Sequence, residues 1–290
     1  MNKLSAFLIF FAFGILGWLT GCDGSPEPRT GLLFAAGNNL ITGNQAVAGS
    51  QVYSTSIFAQ TGSGNAFTRF KIIRTYDKKD SITYLDSTIN QPEFGLYLTF
   101  GTRGQTGEET WRFVITDQKN TEYSRRFTLT TSSNNNTTRP FYSYTSYFYR
   151  RTALENLQYF SLRNGTVYPG FIGRTNPEVK PMVDFYFEEN AAKAISVNAV
   201  ATAGTKFKPT TLTPATFNEI ATLPDLKNVY VTNSTAPLNT VQNISKNQVI
   251  AFSTNNRSGL IRISSISKIF DMEKNDSVLA QMTYDVKSEK

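Results

Sequence analysis

Apolar and polar positions alternate along much of the chain, and the alternation breaks into short segments bounded by Gly, Asn and Asp. Between residues 31 and 131 these segments are Gly31–Ala36, Gln51–Gln60, Phe67–Tyr76, Ser81–Ser87, Phe94–Phe100, Thr110–Thr116 and Tyr123–Thr131. Seven short strands with turn residues at this spacing predict an all-β sandwich. The clearest period of two is "TWRFVIT", where Trp111, Phe113 and Ile115 share one face and Arg112, Val114 and Thr116 the other. Trp111 on such a stripe reads as core. "DQKN", residues 117–120, turns the chain into a partner strand, so the two make the last hairpin of the sandwich.

Residues 132–139, "SSNNNTTR", offer nothing to bury against the entropy of ordering and are the expected linker. Beyond them, "PFYSYTSYFYRR" predicts a strand aromatic on both faces: Tyr142, Tyr144 and Phe148 on one, Phe141, Tyr147 and Tyr149 on the other. "LQYFSLRNGTVYPG" predicts two strands about Arg163-Asn164-Gly165, because Asn-Gly supplies the positive φ of a tight turn. Strands follow at Val183–Glu189 and Ala194–Ala203, then a hairpin from "NQVIAFST" and "SGLIRISSI", and a closing strand in "VLAQMTYDVKSE". One helix is expected in "TPATFNEIATL", with Thr213 as cap, Pro214 in the first turn and Phe217, Ile220 and Ala221 on one face. Residues 140–290 therefore predict a β-rich α+β domain, and the whole chain a mainly β protein.

The first residues follow another pattern. Lys3 precedes an apolar run from Leu4 to Trp18, and small residues come directly after it, the layout of a secretory signal over residues 1–21. The run is short for a membrane span, which needs about 20 residues. Leu19-Thr20-Gly21-Cys22 is similar to the bacterial lipobox. That similarity implies cleavage before Cys22 and lipid attachment to its sulfur, with residues 22–30 as a polar, proline-containing tether. The expected location is the bacterial cell envelope, lipid-anchored, at the outer membrane. Asp23, directly after the cysteine, retains such proteins at the inner membrane in enteric-type bacteria, a rule that is not general.

Cys22 is the single cysteine of a 290-residue chain without histidine. Once it carries lipid, neither a disulfide framework nor a Cys/His metal site nor a Ser-His or Cys-His dyad can be built. Carboxylates remain as candidates. Glu108 and Glu109, like Glu188 and Glu189, are adjacent in sequence and so point to opposite faces of a strand. Asp184 and Glu188 would share a face, but at a strand end they read as solvated. With no phosphate loop, dinucleotide fingerprint or calcium loop, the expectation is a protein that is not an enzyme, with no cofactor and no metal. The net charge of +7 is spread over scattered residues and pairs such as Lys78-Lys79 and Arg150-Arg151, which excludes a nucleic-acid signature.

Two features point to recognition or modification. Tyr142, Tyr144 and Phe148 could stack on a sugar ring if their face is open, although a strand aromatic on both sides reads first as a central strand buried twice. Asp80-Ser81-Ile82, Asp86-Ser87-Thr88 and Asp276-Ser277-Val278 resemble a bacterial O-glycosylation acceptor, with Ser81, Ser87 and Ser277 as the hydroxyls, although Asp-Ser is also ordinary turn material.

The lipobox, "FTRFKIIRTYD" followed by "YLDST", "ETWRFVITDQ", "NGTVY", "VDFYF" and the closing "GLIRISSI" and "MTYDVKSEK" carry a resemblance over nearly the whole chain. The chain resembles a family of bacterial surface lipoproteins, mostly without assigned activity, that have an N-terminal Ig-like domain and a C-terminal β-rich domain. These motifs are structural, so what the resemblance implies is architecture. The expected function is a structural or protein-interaction role at the envelope, with the membrane as one partner through the lipid. Surface glycan binding is the alternative.

Overall fold

A computed structural model describes residues 30–62, 64–132, 139–149, 156–271 and 276–290. The expected signal segment 1–21 with Leu19, Thr20 and Gly21, the expected lipid site Cys22, the expected tether up to residue 29 and residues 133–138 of the expected linker lie outside the described residues. The protein is mainly β.

Residues 31–131 form strands β1 (Gly31–Phe34), β2 (Gln45–Val47), β3 (Val52–Gln60), β4 (Phe67–Tyr76), β5 (Asp80–Gln91), β6 (Glu93–Gly101), β7 (Gly107–Asp117) and β8 (Glu122–Thr131). They make two sheets, β1-β3-β6 and β2-β8-β7-β4-β5. Three strands over five is a sandwich of the Ig type. The additional strand β2 runs parallel to β8 and has three residues, too few for alternation to reveal it. Trp111, Phe113 and Ile115 point inward as the period of two predicts. They meet Phe127 and Leu129 of β8 and, across the sandwich, Ile57, Leu98 and Phe100. The Phe100 and Trp111 rings are 4.4 Å apart between centroids. Each such side chain contributes about 1.5–3 kcal/mol by leaving water.

The later residues form β9 (Phe141–Tyr149), β10 (Leu157–Ser161), β11 (Thr166–Pro169), helix α1 (Gly170–Thr175), β12 (Phe185–Glu189), β13 (Ile195–Ala199), β14 (Lys206–Pro209), helices α2 (Pro214–Glu219) and α3 (Leu223–Thr232), β15 (Thr240–Val241), β16 (Val249–Ser253), β17 (Ser258–Asp271) and β18 (Asp276–Glu289). Two five-stranded sheets result, β11-β10-β12-β13-β15 and β14-β16-β17-β18-β9. Phe160, Phe185, Phe187, Phe252, Met282 and Tyr284 belong to the core between them. On the outside of the second sheet, Phe217 of α2 and Leu226 of α3 pack with Val249 and Leu260. The single helix expected over 213–223 is two: Thr213 caps the first by accepting from the Thr216 amide, and Thr222 starts a second by accepting from Asp225.

Strand β9 corrects the expected position of its aromatics: Phe141, Tyr144 and Phe148 are core residues, but not on a central strand. β9 is an edge strand, bonded to β18 alone. Tyr144 and Phe148 nevertheless lie in the inter-sheet core, Tyr142 is half-buried, and Phe141 on the other face is buried against α2. The row Tyr142, Tyr144, Phe148 is therefore not an open stacking platform. An edge strand lacks a neighbour in the plane of its sheet, but its faces can still be covered by layers above and below.

The two sandwiches share apolar packing. Tyr159, Tyr168, Ile172, Val179 and Val183 of the later residues join the cluster built around Trp111. The Asn164-Gly165 turn docks on the first sandwich: Gly104 N–H donates to Asn164 O at 2.7 Å, and Ser50 Oγ to Gly165 O at 2.9 Å. Gly165 has φ +67°, and a Cβ there or on Gly104 would come within 2.5 Å of the Tyr144 ring, so both positions need glycine. The open edge of β5 is occupied in its middle by side chains of the chain itself. Asn176 Nδ2 donates to Thr83 O at 2.6 Å, and Glu178 accepts the Thr83 N–H at 2.8 Å.

Candidate functional site

The junction between the sandwiches holds the densest polar chemistry of the described residues. Phe70, Ile72 and Arg74 alternate along β4 onto the inner face, and all three are buried. Arg74 therefore carries a charge into the core. Its Nη2 donates to both oxygens of Glu109 on β7, at 2.7 and 2.9 Å, and to Gly101 O at 3.0 Å. Glu109 Oε1 also accepts the Arg103 N–H at 2.6 Å. The guanidinium carbon lies 4.6 Å from the Trp111 ring centroid, 4.8 Å from Tyr76 and 5.8 Å from Tyr168. Those ring faces are negative and attract the cation. Nε and Nη1 of Arg74 have no hydrogen-bond acceptor, and the aromatic faces are their nearest compensation. Burial is the largest single influence and opposes the charge, but the Glu109 carboxylate together with Tyr76, Tyr168 and Tyr84 outweighs it and holds the Arg74 pKa above its ordinary value.

A second shell leads outward. Arg103 Nη1 donates to Asp77 Oδ1 at 2.8 Å and to Glu108 O at 3.3 Å. Partial burial is the largest single influence and would raise the Asp77 pKa, yet the bonds from Arg103 and the Glu108 amide, with the charges of Arg103 and Lys79, together keep it below the usual carboxylate range. The Tyr76 and Tyr168 hydroxyls are 3.1 Å apart, and Asn164 Nδ2 donates to them at 3.2 and 3.1 Å. Burial pushes the Tyr76 phenol well up. In front of these groups opens a cleft of ≈ 660 Å³, lined among others by Lys79, Ser81, Arg103, Arg163, Glu178 and Met182. Its charges largely answer one another: Arg103 pairs with Asp77, and Arg163 approaches Asp80 at 3.9 Å.

This arrangement can hold a polar ligand of mixed charge but presents no nucleophile beside a base. Glu109 is consumed by Arg74 and Arg103, while Glu108 meets Lys78 at 3.2 Å on the surface. The strand thus separates the two glutamates as their adjacency requires. Among the described residues, no group of three or more His, Cys, Asp or Glu is gathered in a form that could hold a metal. Asp184 is not solvated as its place at a strand end suggested. It accepts the Leu162 N–H at 2.6 Å, and burial raises its pKa to about 6. Glu188 is exposed beside Arg174 and Tyr186.

Of the proposed acceptor hydroxyls, Ser81 is exposed and Ser87 half-buried, both within β5 instead of a turn. Ser277 is in β18, and its side chain lies outside the described residues. Arg74 was visible inside "FTRFKIIRTYD" as a lone cation on an apolar stripe. That pattern requires a buried partner, and only the fold identifies Glu109.

No known protein family matches the chain, and no curated protein matches it. Among solved structures, Escherichia coli alpha-2-macroglobulin activated by porcine elastase is similar over 89% of this chain, with 8% identity and a TM-score of 0.23. The chain spans 29% of the length of that protein.

Proposed function

We propose that the chain is a lipid-anchored envelope protein, attached through Cys22, whose folded part acts by binding a protein partner and not by catalysis. The lipobox-like Leu19-Thr20-Gly21-Cys22 supports the anchor. The observation that carries the binding role is the charge-matched cleft at the junction, whose back wall is fixed by the buried Arg74–Glu109 pair. Clefts between packed units are favoured ligand positions, and a lining of balanced charge suits a polar protein surface better than a highly charged ligand. Glycan binding draws on Tyr142, Tyr144 and Phe148 as a platform; two of the three are core residues, so the protein-partner reading has the stronger support.

The anchor is tested by radiolabelled fatty acid, whose incorporation should vanish in Cys22→Ser; unchanged labelling would remove it. For the cleft, a photo-crosslinking amino acid is placed at Ser81 on its rim and, as control, at the exposed Lys119 of the 117–120 turn. In the native envelope the Ser81 position should give one discrete protein adduct that Lys119 does not give, and that Arg163→Glu abolishes. The reading is wrong if both positions crosslink alike, or if a glycan array binds the chain while no adduct forms.

A further inference from the structure

The β1-β3-β6 sheet has a second face, turned away from the sandwich core. Leu32, Ile57, Ala59, Leu98 and Phe100 occupy the inner side, so the alternating positions between them emerge outside. Leu33 pairs with Phe58, Phe58 with Gly95, and Tyr97 with Ser56, which places Tyr97 diagonally beside Phe58. Leu33 is 54% exposed, Tyr97 47% and Phe58 38%. A Cβ on Gly95 would meet nothing nearer than Ile57 O at 4.0 Å, so the glycine leaves a bare floor between the side chains. Ser54 and Thr99 continue the face with a hydroxyl pair at 3.1 Å. Among all residues of the three strands a single side chain, Glu93, is charged. Glu93 sits on this same face, in the row nearest the tether, and beyond it the face is apolar, aromatic and hydroxylated on a chain of net charge +7.

Its position along the chain identifies what covers it. Strand β1 begins at Gly31, nine residues after Cys22, a separation of about 30 Å at full extension. Gly31 pairs with Gln60, and Gln60 with Glu93. The Leu33-Phe58-Gly95 row is the next one on the same face, about 7 Å further along the strand. The exposed patch therefore adjoins the point where the tether joins the sheet, and a lipid at Cys22 keeps it within reach of the bilayer at all times. Such confinement lets a weak contact act as a strong one. A Phe, a Tyr and a Leu on strands that carry no Lys or Arg of their own, with Arg125 of β8 bonded to Leu32 O at the β1 edge, suit the boundary between headgroups and acyl chains, where amphipathic rings collect.

We propose that the outer face of the β1-β3-β6 sheet, with Leu33, Phe58 and Tyr97 around Gly95, rests on the membrane that holds the Cys22 lipid. The inference depends on the lipid anchor. It gives the protein a fixed orientation, one sandwich lying on the bilayer by the tether end of its three-stranded sheet, since the far end of that face, at Val52 and Gly101, is covered by the second sandwich.

The test uses the lipidated full chain carrying Tyr97→Trp on phosphatidylcholine vesicles with brominated acyl chains. Signal cleavage removes Trp18, so the parent chain supplies only Trp111, which is fully buried. The indole at position 97 should shift to the blue on vesicles and lose emission to the bromine, in 0.1 M and 1 M salt alike, because no charge pairing holds the face down. Phe58→Trp on the same face should respond in the same way. An unquenched indole on a chain that floats with the vesicles overturns the membrane contact and leaves the anchor standing. A chain that does not float has no anchor, and the proposal falls with it. Shielding that appears only at high protein density assigns the face to a second copy and also overturns it.

Discussion

At the scale of single residues, a buried ion pair and a buried carboxylate set opposite tests. Arg74 and Glu109 are fully buried, and each is the other's counter-charge. Removing one partner strands the other, so Glu109→Ala is expected to cost about 3–5 kcal/mol in urea denaturation, while the double variant Arg74→Met with Glu109→Leu recovers most of the loss. A loss near zero for Glu109→Ala would mean that the rings alone neutralise the guanidinium. Asp184 works the other way. Its folded pKa of about 6 lies above the unfolded value of 3.8, so the folded chain binds the proton more tightly. Its contribution to stability is highest below pH 4 and falls as the pH rises to 6. The loss amounts to about 2–3 kcal/mol. Asp184→Asn keeps an oxygen for the Leu162 amide, and the stability of wild type relative to this variant should decline from pH 4 to 6; a flat difference would refute the buried-carboxylate account.

At the scale of elements, helix α2 shows how a six-residue helix is held. Lys287 of β18 donates from Nζ to Phe217 O at 2.6 Å and Ile220 O at 2.8 Å, between the rings of Phe141 and Phe217. A cation at a helix C-terminus meets the negative end of its dipole. Burial, with help from Arg139 and Arg262, lowers the Lys287 pKa to about 8. Lys287→Met fills the same space but leaves these carbonyls without a donor, at a cost of about 1–3 kcal/mol. Hydrogen exchange should quicken over 214–220 and not in β7; uniform quickening would show that Lys287 supports the whole fold instead. Strand alternation was legible in "TWRFVIT" because one face of β7 meets a deep core. It was ambiguous in β9, where Phe141 is covered by α2, and Tyr144 and Phe148 by the opposite sheet.

For the whole molecule, shared apolar packing and the Asn164-Gly165 turn make the two sandwiches unfold together. Calorimetry should give one transition, coincident with the loss of Trp111 fluorescence in the chain from Asp23 onward. Gly165→Val, strained at positive φ and pressed against Tyr144, should lower the midpoint and separate the transition into two. Two transitions in wild type would mean that the junction contributes little.

Local pattern alone determined a mainly β chain, the inward stripe of Trp111, Phe113 and Ile115, the turn at Asn164-Gly165 and the single cysteine behind an apolar leader. These depend on the period of a strand or on the chemistry of adjacent residues, and neither requires a distant partner. Only the tertiary structure decided that Glu109 answers Arg74, that Asp184 is held inward by Leu162, that Tyr144 and Phe148 face a core, and that Leu33, Phe58 and Tyr97 do not. A period of two separates the faces of a strand without saying which face meets another layer, and that choice belongs to residues far away in the sequence.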